Sequence, residues 1–226
     1  MPGLFITGTD TDVGKTYVAA LIAGALRASG RRVGVYKPAA SGCVVRGESV
    51  VAVDALALWE AAGRPGALDR VCPQRFLAPL APHLAARAEG KVIDAELLRT
   101  GIEYWRERSD IVIVEGAGGL MSPLGDEDYV ADLAAAFEYP LVVVAANRIG
   151  VINHVLQTLI AAAAFGEGLP VAGIVLNDTS PAGDMSRATN QAEIAARAVA
   201  PVLGTVAWDG QRIVPDVEWW TLAGGK

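Results

Sequence analysis

Gly8-Thr9-Asp10-Thr11-Asp12-Val13-Gly14-Lys15-Thr16 decides how this chain folds. It follows the apolar run Leu4–Thr7 and opens the Ala- and Leu-rich stretch Lys15–Ala28, so a strand feeds a tight loop that feeds a helix. In that setting the loop is a phosphate cradle. Backbone N–H groups and the positive end of the helix face the anion, Lys15 reaches the β- and γ-phosphates, and the Thr16 hydroxyl ligates Mg²⁺. The usual pattern, Gly-x-x-x-x-Gly-Lys-Thr, would put glycine at position 9, but Thr9 stands there and Gly8 lies one residue back. An ordinary glycine-containing turn is the plainer alternative, and it leaves the coincidence of strand, Gly-Lys-Thr and helix without a reason.

Outward from the loop, short β-branched runs alternate with longer Ala- and Leu-rich stretches. The strand candidates are Leu4–Thr7, Val33–Lys37, Ile111–Glu115, Leu141–Ala145, Gly173–Asn177 and Leu203–Val206. Helical spacing of apolar residues marks Lys15–Ala28, Asp54–Ala62, Ala95–Arg108, Val130–Phe137, Val151–Phe165 and Ser186–Val199. Such alternation predicts an α/β fold: one P-loop NTPase domain over residues 1–226, with a mostly parallel, doubly wound sheet covered by helices on both faces. The proline-rich stretch Pro73–Pro82 is expected to be a loop.

Composition narrows the function. The chain is 52% hydrophobic, yet Gly, Pro or charge breaks every apolar run before membrane-spanning length, so no membrane association is expected. The opening residues lack a basic leader and run straight into the first strand, which points to a cytoplasmic protein. A net charge of −6 without clustered Lys and Arg argues against nucleic acid as a partner. Cys43 and Cys72 have no metal-ligand spacing and are read as reduced, incidental thiols.

Three further stretches carry chemistry. Ile111-Val112-Ile113-Val114-Glu115-Gly116-Ala117-Gly118-Gly119 is an apolar strand ending in a carboxylate and a flexible loop. At the carboxyl edge of a parallel sheet, Glu115 is placed to hold Mg²⁺ or its water while the glycines let backbone approach a phosphate. Lys37, at the end of the second strand, would project into the same crevice as Lys15, with Ser41 able to donate to an oxyanion; a solvated or ion-paired lysine is the alternative. Asp54 reads either as an N-cap or as a metal ligand. The helix start Gly150-Val151-Ile152-Asn153 offers open N–H groups to a carboxylate or phosphate, or is simply a capped helix start.

Taken in order, these stretches resemble the dethiobiotin synthetase family. The likeness runs from Phe5 to about Trp208 and rests on the phosphate loop, Tyr36-Lys37-Pro38 with Ser41-Gly42, Asp54-Ala55-Leu56, Pro82-His83, Glu115-Gly116-Ala117-Gly118-Gly119, Gly150 with Asn153-His154, and Asn177-Asp178. It implies a homodimer that turns 7,8-diaminopelargonate, CO₂ (or bicarbonate) and MgATP into dethiobiotin, ADP and phosphate. It implies Lys37, Lys15 and Thr11 as catalytic residues and Thr16, Asp54 and Glu115 as holders of Mg²⁺. Nucleotide contacts would come from Asp12, Val13, Gly14, Lys15, Thr16, Tyr17, Asp54, Glu115, Gly116, Ala117 and Gly118, with Asn177 and Asp178 on the adenine. Ser41 would face the substrate. Gly150, Val151, Ile152 and Asn153 would take its carboxylate from across the dimer. His83 and His154 are read as structural, and the stretch after Val206, with Trp219 and Trp220, receives no role.

A different class of protein shares the predicted fold: switch ATPases that position chromosomes and septa. Those carry an additional lysine early in the phosphate loop, where this chain has Thr9, Asp10, Thr11 and Asp12. Cobyrinate amide synthetases need an attached glutaminase domain, for which 226 residues leave no room.

Overall fold

The computed structural model describes residues 1–181 and 183–226. Its central sheet is parallel and has six strands: β1 (Gly3–Gly8), β2 (Val33–Tyr36), β3 (Ile111–Gly119), β4 (Leu141–Ala146), β5 (Val171–Asn177) and β6 (Val202–Val206), in the spatial order β6-β5-β4-β1-β3-β2. β1 lies between β3 and β4, so the strand order reverses around it and a crevice opens beyond its carboxyl end. That is where the phosphate loop sits.

Helices cover both faces, and the strand pleat shows why. Val143 and Ala145 of β4 and Ile174 and Leu176 of β5 pack on α4 (Val151–Ala164) and α5 (Arg187–Ala195), through Val151, Val155, Leu159 and Ile194. The alternate residues Val142, Val144 and Val175 belong to the main core on the other side. That core holds Val18, Ala19, Ile22, Ala23 and Leu26 of α1 (Lys15–Ala28), whose helical spacing buries one face. Each fully buried Leu, Ile or Val contributes about 1.5–3 kcal/mol. Two more helices flank the site, α2 (Val53–Ala61) and α3 (Val130–Phe137).

Four expectations change. The helix expected over Ala95–Arg108 is interrupted, running Ala95–Thr100 and then Glu103–Arg106. The Tyr36 hydroxyl stands 2.9 Å from the Leu97 carbonyl oxygen, which still accepts from Gly101 N–H, and 3.1 Å from the Leu98 carbonyl oxygen, which a continuing helix would give to its next turn. Gly101 makes room for it, since a Cβ there would lie 2.4 Å from that hydroxyl. The helix expected over Ser186–Val199 begins at Arg187 and ends at Ala195, short of Pro201, which disfavours helical backbone before it. Within Pro73–Pro82, Gln74–Arg75 pairs with Ala39–Ala40, and Pro82 starts a helix to Ala88. A hairpin, Val44–Arg46 with Ser49–Val51, was not expected at all.

The unassigned tail is structural. Helix Trp219–Leu222 buries Trp219 and closes the amino end of β1, where Gly3 N–H donates to the Ala223 carbonyl at 3.2 Å. Among the described residues no helix is long and apolar enough to cross a membrane.

Candidate active site

At the end of β1 the chain turns within a few residues into α1, and the turn explains the displaced glycine. A Cβ on Gly8 would stand 2.7 Å from the Asp10 carbonyl oxygen and 3.0 Å from Lys15 Nζ. Thr9 is free of that crowding and donates its N–H to the Val144 carbonyl at 2.9 Å. Gly14, at φ +88°, caps α1 in the left-handed region, where a Cβ would also lie 2.1 Å from Asn177 Nδ2. Asn177, at the end of β5, donates to the Val13 carbonyl at 3.0 Å and ties the loop to the sheet. Across the loop, the Lys15 ammonium donates to the Asp10 carbonyl at 2.8 Å.

The second half of the site comes from the neighbouring strands. β2 and β3 run in register, with Tyr36 opposite Val114, so the next residues, Lys37 and Glu115, emerge side by side. Lys37 Nζ lies 2.8 Å from Glu115 Oε1 and 3.1 Å from Asp54 Oδ2. Thr16 Oγ1 donates to the same Glu115 oxygen at 2.8 Å, which joins the phosphate loop to this ion pair. Asp54 is not the cap of α2: Ala52 holds that position, and Asp54 stands in the first turn with its carboxylate on Lys37.

Among the described residues the buried charged side chains are Lys15, Lys37 and Glu115, and all three line one cleft of about 820 Å³. Burial pulls the Lys37 ammonium toward losing its proton, but Glu115 and Asp54 outweigh that and hold its pKa above the ordinary lysine value. For Lys15, burial wins: its pKa is lowered, with Glu115 opposing and Lys37 adding to the fall. An anion brought to Lys15 would favour its charged form and oppose that fall.

The residues present fit Mg²⁺. Their donors, the Thr16 hydroxyl and the Glu115 and Asp54 carboxylates, are all hard oxygens, and Glu115 Oε2 is buried with no protein hydrogen-bond partner. Among the described residues no group of three or more His, Cys, Asp and Glu forms a protein-only cage. Mg²⁺ does not require one, since it keeps waters and takes phosphate oxygens beside one or two carboxylates.

Comparison with known proteins identifies the family of the chain. The AAA_26 family model, described as an AAA domain, matches residues 2–213. The ATP-dependent dethiobiotin synthetase BioD of Rhodopirellula baltica is 43% identical over 213 residues, covering 89% of this chain and 82% of that protein. The chain belongs to the dethiobiotin synthetase family. The like-named proteins of Anaeromyxobacter dehalogenans (44% over 209 residues; 92% of this chain and 91% of that protein) and Bacillus subtilis (37% over 207; 90% and 86%) agree. The chain is thus an enzyme of this ATP-dependent family, and the resemblance read from its motifs holds. Among solved structures, the signal recognition particle receptor FtsY of Elizabethkingia anophelis has a TM-score of 0.59 at 13% identity, over 99% of this chain. This chain spans 64% of that receptor's length, and the likeness is one of fold.

Most of the expected site residues converge. Thr11, Asp12, Gly14, Lys15, Thr16, Tyr17, Lys37, Ser41, Asp54, Glu115, Ala117 and Gly118 all line the cleft. Others do not. Gly116 is buried and does not line the cleft, and a Cβ there would meet Val130 Cγ1 at 2.7 Å and Phe5 at 3.2 Å, so close packing requires the glycine. Val13 is buried, and Asn177 lies against the underside of the loop. Asp178 Oδ1 accepts from Asn147 Nδ2 at 2.9 Å, with Arg187 Nε at 3.6 Å. Gly150, Val151, Ile152 and Asn153 stand outside this chain's cleft, and Val151 N–H is already given to the Arg148 carbonyl. Pro79, Leu80, Ala81, Ser122 and Pro123 line the cleft unannounced by any motif, beside Pro82 of the Pro82-His83 stretch. A proline-rich loop carries no chemical signal, and only its position gives it a role.

Proposed function

We propose that this chain closes the ureido ring of dethiobiotin from 7,8-diaminopelargonate and CO₂, using ATP and releasing ADP and phosphate. The observation that carries this reading is the convergence of the buried charges: the phosphate-loop lysine, a second buried ammonium and a buried carboxylate face one cleft. Relatives at 43–44% identity over most of the chain are named for ATP and for dethiobiotin, which supports the reading.

In the proposed sequence, one amine of the substrate captures CO₂ as a carbamate. A carbamate oxygen attacks the γ-phosphorus, breaking the bond to ADP and giving a carbamic–phosphoric anhydride. The second amine attacks the anhydride carbon, closing the ring and expelling phosphate with that oxygen. No protein nucleophile is needed, because phosphoryl transfer is catalysed by positioning and charge. Lys15 and the N–H groups between Thr11 and Thr16 would hold the β- and γ-phosphates. Lys37, inside the cleft, would meet charge on the carbamate and the transferring group, with Ser41 donating beside it. Thr16, Asp54 and Glu115 would hold Mg²⁺, which when bound supplies positive charge to the phosphate oxygens. Pro79, Leu80, Ala81, Pro82 and Pro123 give the cleft an apolar side for the substrate's aliphatic chain.

The substrate carries amines at one end and a carboxylate at the other. Because Gly150–Asn153 stand outside their own cleft, we assign that helix start to the carboxylate of a substrate bound by a neighbouring copy in a homodimer. Asn177 and Asp178, at the end of β5, are assigned to the adenine side.

Phosphate release in the presence of ATP, Mg²⁺, diaminopelargonate and bicarbonate tests the reading, each component being omitted in turn. Every omission should return the rate to background. Steady release without the diamine would instead describe a switch ATPase.

A further inference from the structure

Lys37 stands in an odd place for a residue meant to act on substrate. Its ammonium lies between Glu115 Oε1, at 2.8 Å, and Asp54 Oδ2, at 3.1 Å, and Thr16 Oγ1 holds that same Glu115 oxygen at 2.8 Å. Those three oxygen groups are the ones assigned to the divalent cation. An ammonium 2.8 Å from Glu115 Oε1 and a divalent cation about 2.1 Å from either oxygen of that carboxylate, the partnerless Oε2 included, repel each other at close range, so each weakens the hold on the other. Glu115 is 1% exposed, and a carboxylate so deeply buried needs a cation beside it. Asp54, half exposed, can be solvated by water instead.

We propose that Lys37 is the resident counter-ion of this carboxylate pair and is exchanged for the divalent cation: the cation takes over Glu115 and Asp54, and the freed ammonium turns to the reacting groups in the cleft it already lines. The inference rests on the metal assignment made above. It gives the buried pair two duties in sequence. Before loading, Lys37 holds Glu115 in place against Thr16. After loading, the flexible four-carbon stem lets the ammonium leave without backbone movement. A lysine that competes with the cation also ties catalysis to loading, since Lys37 is turned to the reaction only once the carboxylates have another partner.

The test measures cation binding apart from turnover. Free Mn²⁺ is followed by electron paramagnetic resonance as it is titrated into the nucleotide-free protein, comparing wild type, Lys37→Gln and Lys15→Gln. Lys37→Gln should bind Mn²⁺ at least about tenfold more tightly than wild type, because the competing charge is gone. Lys15→Gln removes the same charge from the same cleft, but that ammonium rests on the Asp10 carbonyl and not on a carboxylate, so its gain should be several-fold smaller. Equal gains would reduce the effect to net charge, and unchanged or weaker binding by Lys37→Gln would equally overturn the exchange. Wild-type crystals soaked with Mn²⁺ and a non-hydrolysable ATP analogue give a second reading that needs no variant. Lys37 Nζ should be found away from Glu115 there, and an ammonium still bonded to Glu115 beside a bound Mn²⁺ would overturn the exchange alone. Failure of wild type to bind Mn²⁺ even with the analogue would overturn the metal site itself, and the exchange with it.

Discussion

The paired stretch of β2 and β3 carries an ion pair at each end, and the two pairs differ in almost everything except length. At the amino ends, Arg32 meets Asp110 at 2.7 Å with side chains 72% and 30% exposed. At the carboxyl ends, Lys37 meets Glu115 at 2.8 Å with side chains 4% and 1% exposed. The same two strands in the same register thus hold one clasp in water and one in the interior. An exposed pair is screened and adds little to stability. A buried pair loses hydration that its mutual attraction does not reliably return, so its presence at the carboxyl edge speaks for chemistry and not for folding. Parallel α/β sheets bind ligands at that edge, and here it is the edge that received the buried charges.

Breaking the inner pair should give the largest effect. Lys37→Gln leaves Glu115 buried without its cation, which should lower unfolding free energy in metal-free buffer by about 3–5 kcal/mol, measured by urea titration. In MgATP, kcat should fall by about a hundredfold or more while ATP affinity changes little, the pattern of an interaction made in the transition state. A variant with normal kcat would make the inner clasp as incidental as the outer one.

Lys15→Gln should come next. It faces the phosphates from the loop, holds no carboxylate directly and touches the Asp10 carbonyl, so stability should move little while turnover falls about a hundredfold. Loss of stability comparable with that of Lys37→Gln would erase the distinction between a residue that waits for an anion and one that neutralises its own protein.

How much of this was legible in the sequence follows from range. The phosphate loop, all six central strands and the ends of α1 and α3 could be read because periodicity and Gly-Lys-Thr are local. Lys37 could be placed at a strand end and Glu115 on a neighbouring strand, which runs on to Gly119 where a loop was expected, but their bond depends on the pairing of β2 with β3, which no local pattern specifies. Tyr36 interrupts a helix some sixty residues away, with its hydroxyl on Leu97 and Leu98, and nothing within 95–108 announces that. Gly116 reads as a ligand-facing glycine because it sits beside two others, Gly118 and Gly119, and only the Val130 side chain shows what it makes room for. The hairpin was the avoidable omission: Val44-Val45-Arg46-Gly47-Glu48-Ser49-Val50-Val51 has valines flanking a glycine turn, and Gly47 adopts φ +62°.

A smaller, separable effect is expected where binding uses no charged side chain. Gly150→Pro alters a residue at φ +93°, which proline cannot adopt, so KM for the diamine should rise several-fold with ATP affinity unchanged. Mixing this variant with Lys37→Gln under subunit exchange should restore activity, since heterodimers regain one intact site. No recovery would return the carboxylate receptor to a single chain.

The smallest effect belongs to the outer pair. The Arg32 hydrogen bond holds the Asp110 carboxyl below its usual pKa, so any stability it adds is present above about pH 4 and fades as pH falls through the lowered value. Asp110→Asn should therefore differ from wild type only slightly at neutral pH and not at all in strong acid, with activity unchanged. A large neutral-pH loss would mean that exposure does not separate the two clasps.

Tracing oxygen tests the central claim most directly. In a rapid-quench reaction with oxygen-18 bicarbonate, ATP, Mg²⁺ and diaminopelargonate, each phosphate released should carry one labelled oxygen from the carbamate, with one ADP formed per dethiobiotin. Unlabelled phosphate, its new oxygen taken from solvent water at a rate indifferent to the diamine, would contradict the account: the buried charges would then serve hydrolysis and not ring closure.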